Sequence, residues 1–224
     1  MAQTTYSKWF NQFDFPNESG LPYKSSGGKM VWNSELKREI PAGWEVKQLS
    51  ELLYKNTEKL NAVSGVKTID LSVMPSNCFA LGELNQSENF TTNLFKMHCG
   101  DLMFGSIRPY LRKAGIAPCD GAFAGTVYSY RAINNNDYNL CLCVLTSEDI
   151  FSFAIKNAKG TKMPVIGSDD LLRYKVPYSP AISQLFTELL SIKDIVCNCV
   201  MQNNTLNALK NKILPLLING QLRI

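Results

Sequence analysis

The chain has 224 residues, 45% hydrophobic and 19% charged, with a formal net charge of +4 and a single histidine. This is the balance of a globular chain with one good-sized core, and it is too mildly basic to specify a nucleic acid by charge alone. One histidine leaves His98 as the sole option for a Ser–His–Asp or Cys–His arrangement, and no run approaches the roughly eighteen apolar residues of a membrane span or the pattern of a secretory signal.

Three zones follow along the chain. In the first, residues 1–44, Tyr6, Trp9, Phe10 and Phe13 recur at helical spacing, and Phe15 extends the aromatic patch. So short a helix cannot bury this face alone, so it is expected to pack on something else, another chain being one option. Phe15-Pro16 then forces an extended backbone, and Asn17–Gly28 is a polar connector rich in turn residues.

The second zone, 45–180, has a mixed pattern. Val46–Leu53 reads as a short amphipathic helix. Strands are expected over Lys67–Leu71, Leu102–Phe104, Val127–Arg131 and Leu140–Leu145, and helices over Asp149–Asn157 and Asp169–Arg173. Ser168 or Asp169 is the expected cap of the last of these. Strands and helices do not alternate regularly, which makes the class α+β and not a doubly wound sheet.

The third zone, 181–224, begins after Pro180. Apolar residues recur at Ile182, Leu185, Leu189, Ile192, Val196, Cys199, Leu206, Ile213 and Leu217, with a neighbouring stripe through Ile195, Leu209 and Leu216. This spacing predicts one long helix over 181–217, roughly 50 Å at 1.5 Å per residue, with a face suited to a partner helix in a coiled coil. Asn203 falls on the seam, either as a tolerated polar residue or as one that sets the register.

Charge is concentrated in two places. Five Lys/Arg stand against two Asp from Lys96 to Arg131, and five against two again from Lys156 to Lys175. Within the first, Arg108-Pro-Tyr110-Leu-Arg112-Lys113 offers forked cations beside an aromatic ring, suited to phosphates or guanine edges. Ser106, Gly125-Thr126 and Lys159-Gly-Thr161-Lys162-Met163 add small polar loop surfaces that a duplex can approach closely. The alternative is that these are ordinary solvated charges.

Other chemistry finds little support. No phosphate loop, dinucleotide glycine fingerprint or Asn/Asp-Pro-Pro-Tyr/Phe tetrad occurs. The seven cysteines are odd in number and irregularly spaced without a Cys-x-x-Cys pair, so free thiols are expected, not zinc. His98 reads as structural, and Asp169-Asp170 as the start of a helix. Asn89-Phe-Thr91 and Asn203-Asn-Thr205 match the glycosylation pattern, which has no meaning in a cytoplasmic protein.

Several of these segments resemble a known family. Trp9–Asn17, Gly20–Gly28 and Lys37–Trp44 are similar to the central segment of type I restriction–modification specificity subunits, which joins a conserved helix to the second target recognition domain. Gly105–Tyr110 with Ala114–Pro118, Gly125-Thr126 and Gly160–Pro164 resemble motifs of that domain, and Leu206–Gly220 the end of the distal helix. The resemblance implies a non-catalytic, DNA-reading subunit. It implies a helix remnant and connector over 1–44, a globular target recognition domain over 45–180 and a spacer and dimerisation helix over 181–224.

Double-stranded DNA would be contacted by Ser106, Arg108, Tyr110, Arg112, Lys113, Thr126, Lys159, Thr161 and Lys162. Ile182, Leu185, Leu189, Ile192, Val196, Cys199, Leu206, Ile213 and Leu217 would pair helices. Partners would be methyltransferase (modification) subunits and, through them, the restriction subunit, with methyl donor and ATP held by those partners and no cofactor or metal on this chain. The chain departs from the family in having half the parts, one domain and one long helix. A homodimer with antiparallel helices and a symmetric split target is therefore expected, or else a fragment or recombination cassette that acts when joined to another half. A protein-interaction adaptor working through its long helix is the competing reading, and a catalyst with unfamiliar residues the third.

Overall fold

The computed structural model describes residues 1–61, 65–82, 84–90, 92–219 and 221. Thr91 of the glycosylation-like pattern and Gly220 of the closing motif lie outside the described residues. In chain order the elements are α1 (Ala2–Tyr6), prolonged by a π-helical turn (Ser7–Asn11), β1 (Met30–Asn33), β2 (Arg38–Pro41), β3 (Glu45–Gln48), β4 (Leu53–Lys55), β5 (Lys67–Ile69), β6 (Asn85–Gln86), β7 (Leu94–Met97) and β8 (Leu102–Gly105). Then come β9 (Ala114–Ile116), β10 (Gly121–Ala124), β11 (Val127–Ala132), α2 (Tyr138–Leu145), α3 (Glu148–Asn157), α4 (Ser168–Leu172), β12 (Lys175–Tyr178), α5 (Pro180–Leu189) and α6 (Ile192–Ile218). The class is α+β with a long C-terminal helix.

Two four-stranded sheets form the centre, in the orders β6-β5-β10-β7 and β4-β11-β8-β9, with two-stranded pairs β1-β2 and β12-β3 beside them. The β10–β5 pairing is parallel and the other strand pairs are antiparallel. Strand β8 is buried along its whole length. Leu102 and Phe104 enter the main core while Met103 enters a second cluster with Ile69, Met97, Phe123 and Val127. Alternate side chains of one strand thus supply two cores, as the two-residue period of a strand dictates.

The aromatic patch at the N-terminus is buried within this chain and does not await another. Phe10 is 0% exposed and packs on Trp44 and Phe186, and Trp44 also takes Phe13 and Phe15, at centroid distances of 5.2–5.6 Å. The connector folds back to permit this. Tyr23 stacks on Phe15 at 4.7 Å, and Gly28 lies so close under the Tyr23 ring that a Cβ there would stand 2.4 Å from it.

Four local expectations are corrected. Val46–Leu53 is not a helix: β3 pairs with β12, with Glu45 opposite Tyr178, and then only one 3₁₀ turn, Leu49–Glu51, closes before β4. Gln48 and Glu51 form a capping box around that turn, so the apolar spacing of three and four came from a strand, a turn and a second strand in succession. Leu140–Leu145 is helix, not strand, and all its residues are buried, which is why no polar face marked it. The cap of α4 is Gly167, and Ser168 sits inside the helix with its hydroxyl 3.0 Å from that of Tyr130.

The fourth correction concerns the long helix, which is broken at Leu190–Ser191. Leu190 is extended (φ −134°, ψ 101°), and the Asn139 amide from α2 donates to the Leu190 carbonyl at 2.6 Å and to that of Phe186 at 3.3 Å. A buried side chain has captured carbonyls that a continuing helix would have used. The stripe therefore divides. Ile182, Leu185 and Val196 pack against the chain's own core and Ile192 is part of it, whereas Leu189, Cys199 and Leu206 are exposed and Ile213 and Leu217 half-exposed.

Candidate nucleic-acid interface

Three segments distant in sequence meet at one rim of the β4-β11-β8-β9 sheet. Ser106, just after β8, donates its N–H and its hydroxyl to the Thr126 carbonyl at 3.0 and 2.8 Å, and its own carbonyl accepts the Ile166 N–H at 3.0 Å. One residue on, Ile107 bridges Val165, and the Arg108 N–H donates to the Pro164 carbonyl at 2.7 Å. Lys159 and Val165 exchange N–H···O bonds at 2.9 Å in both directions, closing the 159–165 loop. Gly160 turns that loop at φ +100°, a conformation side chains rarely adopt. These backbone bonds bring Gly105–Tyr110, Gly125-Thr126 and Lys159–Pro164 together.

The turn carrying the arginines is strained. Arg108 (φ 51°, ψ 62°) and Arg112 (φ 53°, ψ 50°) are both left-handed, on either side of a 3₁₀ turn, Pro109–Leu111. Such a conformation costs an ordinary residue about 1–2 kcal/mol and persists where surrounding bonds over-determine it. Here the Pro164 carbonyl holds the N–H of Arg108, and the Asn77 N–H holds the carbonyl of Arg112 at 2.9 Å. Asn77 is itself left-handed (φ 53°). Asparagine tolerates that conformation whereas arginine gains nothing from it locally, so the cost at Arg108 and Arg112 is met by these surrounding bonds.

The candidate residues fall into groups. Arg108, Thr161 and Lys162 are exposed, and Tyr110 is 51% exposed on the same turn as Arg108. Ser106 is buried, and its side chain serves the Thr126 carbonyl. Arg112 is ion-paired with Glu148 at 2.6 Å, and Lys113 donates to the Leu71 carbonyl at 2.7 Å. Lys159 reaches outward, with only a loose 3.8 Å pairing to Asp170, which also receives Arg173 at 3.3 Å.

The charge surplus seen in sequence is partly internal. Lys96 pairs with Glu58 at 2.5 Å. Arg131 pairs at 2.6 Å with Asp101, a buried carboxylate that also accepts the Ser129 hydroxyl and the His98 N–H. His98 is in turn bonded to Arg131, so it belongs to this structural network. Among the described residues, Arg108 and Lys162 at the rim have no ion-pair partner. Sequence reasoning missed Lys55 on β4. It lies 4.6 Å over the Tyr128 ring, whose hydroxyl donates to the Ile166 carbonyl at 3.0 Å. That tether brings Lys55 into the rim's neighbourhood, and no local signal marks it, because it lies beyond the segment expected as helix and away from both basic clusters.

No group of three or more His, Cys, Asp or Glu side chains among the described residues is arranged to hold a metal ion. No single helix among them is long and apolar enough to cross a membrane.

No family model matches the chain. It is 21% identical to the type I restriction enzyme MjaIX specificity subunit of Methanocaldococcus jannaschii, over 100% of this chain and 52% of that protein. Among solved structures, a component of a type I restriction–modification system matches with a TM-score of 0.55 and 19% identity, over 82% of this chain and 50% of the other. The specificity subunit HsdS of Thermoanaerobacter tengcongensis matches with a TM-score of 0.50 and 14% identity, over 99% of this chain and 50% of the other. The chain spans about half the length of the curated relative it matches. Along its whole length it is therefore similar in sequence to one half of a type I restriction enzyme specificity subunit, and it has the fold of one half of such a subunit.

Proposed function

We propose that this chain is a non-catalytic DNA-recognition module of a type I restriction–modification system, reading one half of a bipartite target in double-stranded DNA. Arg108, Tyr110, Lys159, Thr161 and Lys162 make the outer contacts. Arg112 joins them when released from Glu148, Ser106 braces the rim, and Lys113 and Thr126 border it. The observation that carries this reading is the convergence of three separate motifs on one rim, where Arg108 and Lys162 stand without an internal anion. Similarity over the full chain to half of a specificity subunit supports it.

The domains serve this role in order: connector over 1–44, target recognition domain over 45–180, spacer helix over 181–224. Methyltransferase subunits dock along the spacer and bring the restriction subunit, with methyl donor and ATP on those partners, in the cytoplasm. Two copies pair through the distal part of α6, where Leu206, Leu209 and Leu214 are 49–61% exposed. The same exposed row is what favours the second reading, an adaptor that acts through its helix alone.

Selection from a randomised duplex pool, with affinity followed against salt, tests the main reading. A consensus bound more weakly as salt rises supports it, because cations on phosphates release counterions. No duplex binding even at low salt, with and without a methyltransferase subunit, favours the adaptor. Sedimentation tests the pairing: a dimer that Leu206→Lys with Leu209→Lys converts to a folded monomer is expected, and a wild-type monomer at micromolar concentration refutes it.

A further inference from the structure

We propose that the Gly125–Thr126 turn is a seat for a DNA backbone phosphate, an inference that rests on the DNA-recognition reading above. The turn joins β10 to β11, and two observations single it out.

The first is that the fold does not require its glycine. Gly125 is outside the left-handed region, and a Cβ built on it would meet nothing within 4 Å. Glycine is needed where φ is positive, where neighbouring atoms crowd the backbone, or where a ligand comes close. The structure excludes the first two reasons here.

The second is an unpaired hydroxyl. Among the described residues, Thr126 Oγ1 is the one buried side-chain nitrogen or oxygen without a hydrogen-bond partner. Leaving a buried hydroxyl unmade is unfavourable, and rotation about χ1 exchanges it with the methyl group on this half-buried residue. The main chain cannot follow that rotation, because the Thr126 carbonyl is held by both the N–H and the hydroxyl of Ser106. The N–H groups of Gly125 and Thr126 make no hydrogen bond to a described residue.

The turn therefore offers a rigid, low surface with free main-chain N–H groups, to which a change of χ1 would add the Thr126 hydroxyl, near the turn that carries Arg108. Donors clustered around small residues suit an anionic oxygen. A single hydroxyl bonds to any base alike, so the chemistry selects the phosphodiester over a base edge.

The full chain is compared with Thr126→Val, Thr126→Ser, Gly125→Ala and Gly125→Val by thermal unfolding, by duplex affinity and by the consensus each selects from a randomised pool. Thr126→Val is expected to unfold at the wild-type temperature or higher. It should bind target and non-target duplex about tenfold more weakly, with the consensus unchanged. Thr126→Ser should bind as wild type. Gly125→Val should lose affinity without losing stability, with Gly125→Ala intermediate.

Wild-type affinity in both valine variants overturns the proposal. A changed consensus overturns it in favour of a base contact. A fall in unfolding temperature for Thr126→Val that accounts for the lost binding makes the hydroxyl structural. If the wild-type chain binds no duplex, the DNA-recognition reading itself fails, an outcome distinct from wild-type binding that the variants leave intact.

Discussion

Replacing Arg108 by asparagine separates presentation from contact. Asparagine tolerates the left-handed backbone that arginine occupies at φ 51° and ψ 62°, so the turn keeps its shape. The bond from the residue 108 N–H to the Pro164 carbonyl belongs to the main chain and survives. The Arg108 side chain has no ion pair among the described residues, so its removal breaks none. Stability should therefore hold or rise by up to about 1 kcal/mol, roughly 2–4 °C in unfolding temperature for a chain of this size.

Duplex affinity should fall by about 1–3 kcal/mol, roughly 5–150-fold. Titration across salt tells which contact was lost. A phosphate contact lowers the salt slope by about one and leaves the consensus alone, whereas a base contact relaxes one position of the consensus. Unchanged affinity at unchanged stability would refute the assignment of Arg108 to the interface. A marked drop in unfolding temperature would show that its side chain serves the fold.

Other consequences are equally direct. Glu148→Gln frees Arg112 from an exposed ion pair worth about 0–1 kcal/mol, so stability should barely change while duplex affinity rises by up to about fivefold, an effect absent in an Arg112→Gln background. Phe10→Ala should destabilise the chain by about 3–5 kcal/mol in chemical denaturation, because the ring is fully buried between Trp44 and Phe186; a small change accompanied by loss of dimer would mean that the aromatic patch serves another chain. Asn139→Ala leaves the Leu190 and Phe186 carbonyls without their donor and should cost about 1–3 kcal/mol, with faster amide exchange at the end of α5; unaltered exchange would count against Asn139 as the cause of the helix break.

What the sequence by itself determined was the class and several local elements. The helix expected over Asp149–Asn157, the strand expected over Leu102–Phe104 and the long apolar period before the C-terminus were legible because each carries a local signal of its own in the spacing of its apolar residues, although that period spans two helices and not one. The connector was legible from its turn residues. Local periodicity failed where partners are remote. Glu45–Gln48 became a strand because Lys175–Tyr178, some 130 residues later, lies beside it, and Leu140–Leu145 became helix with every residue buried, which leaves no polar face to read.

Only the tertiary structure decided which charges are free and where the long helix ends. Arg131, Lys96 and Arg112 count equally with Arg108 in composition, yet Asp101, Glu58 and Glu148 reach the first three from elsewhere in the fold. The break at Leu190 depends on Asn139, about fifty residues earlier, approaching from α2. Both outcomes are set by side chains that meet only after the chain has folded, so spacing within a segment carries no trace of them.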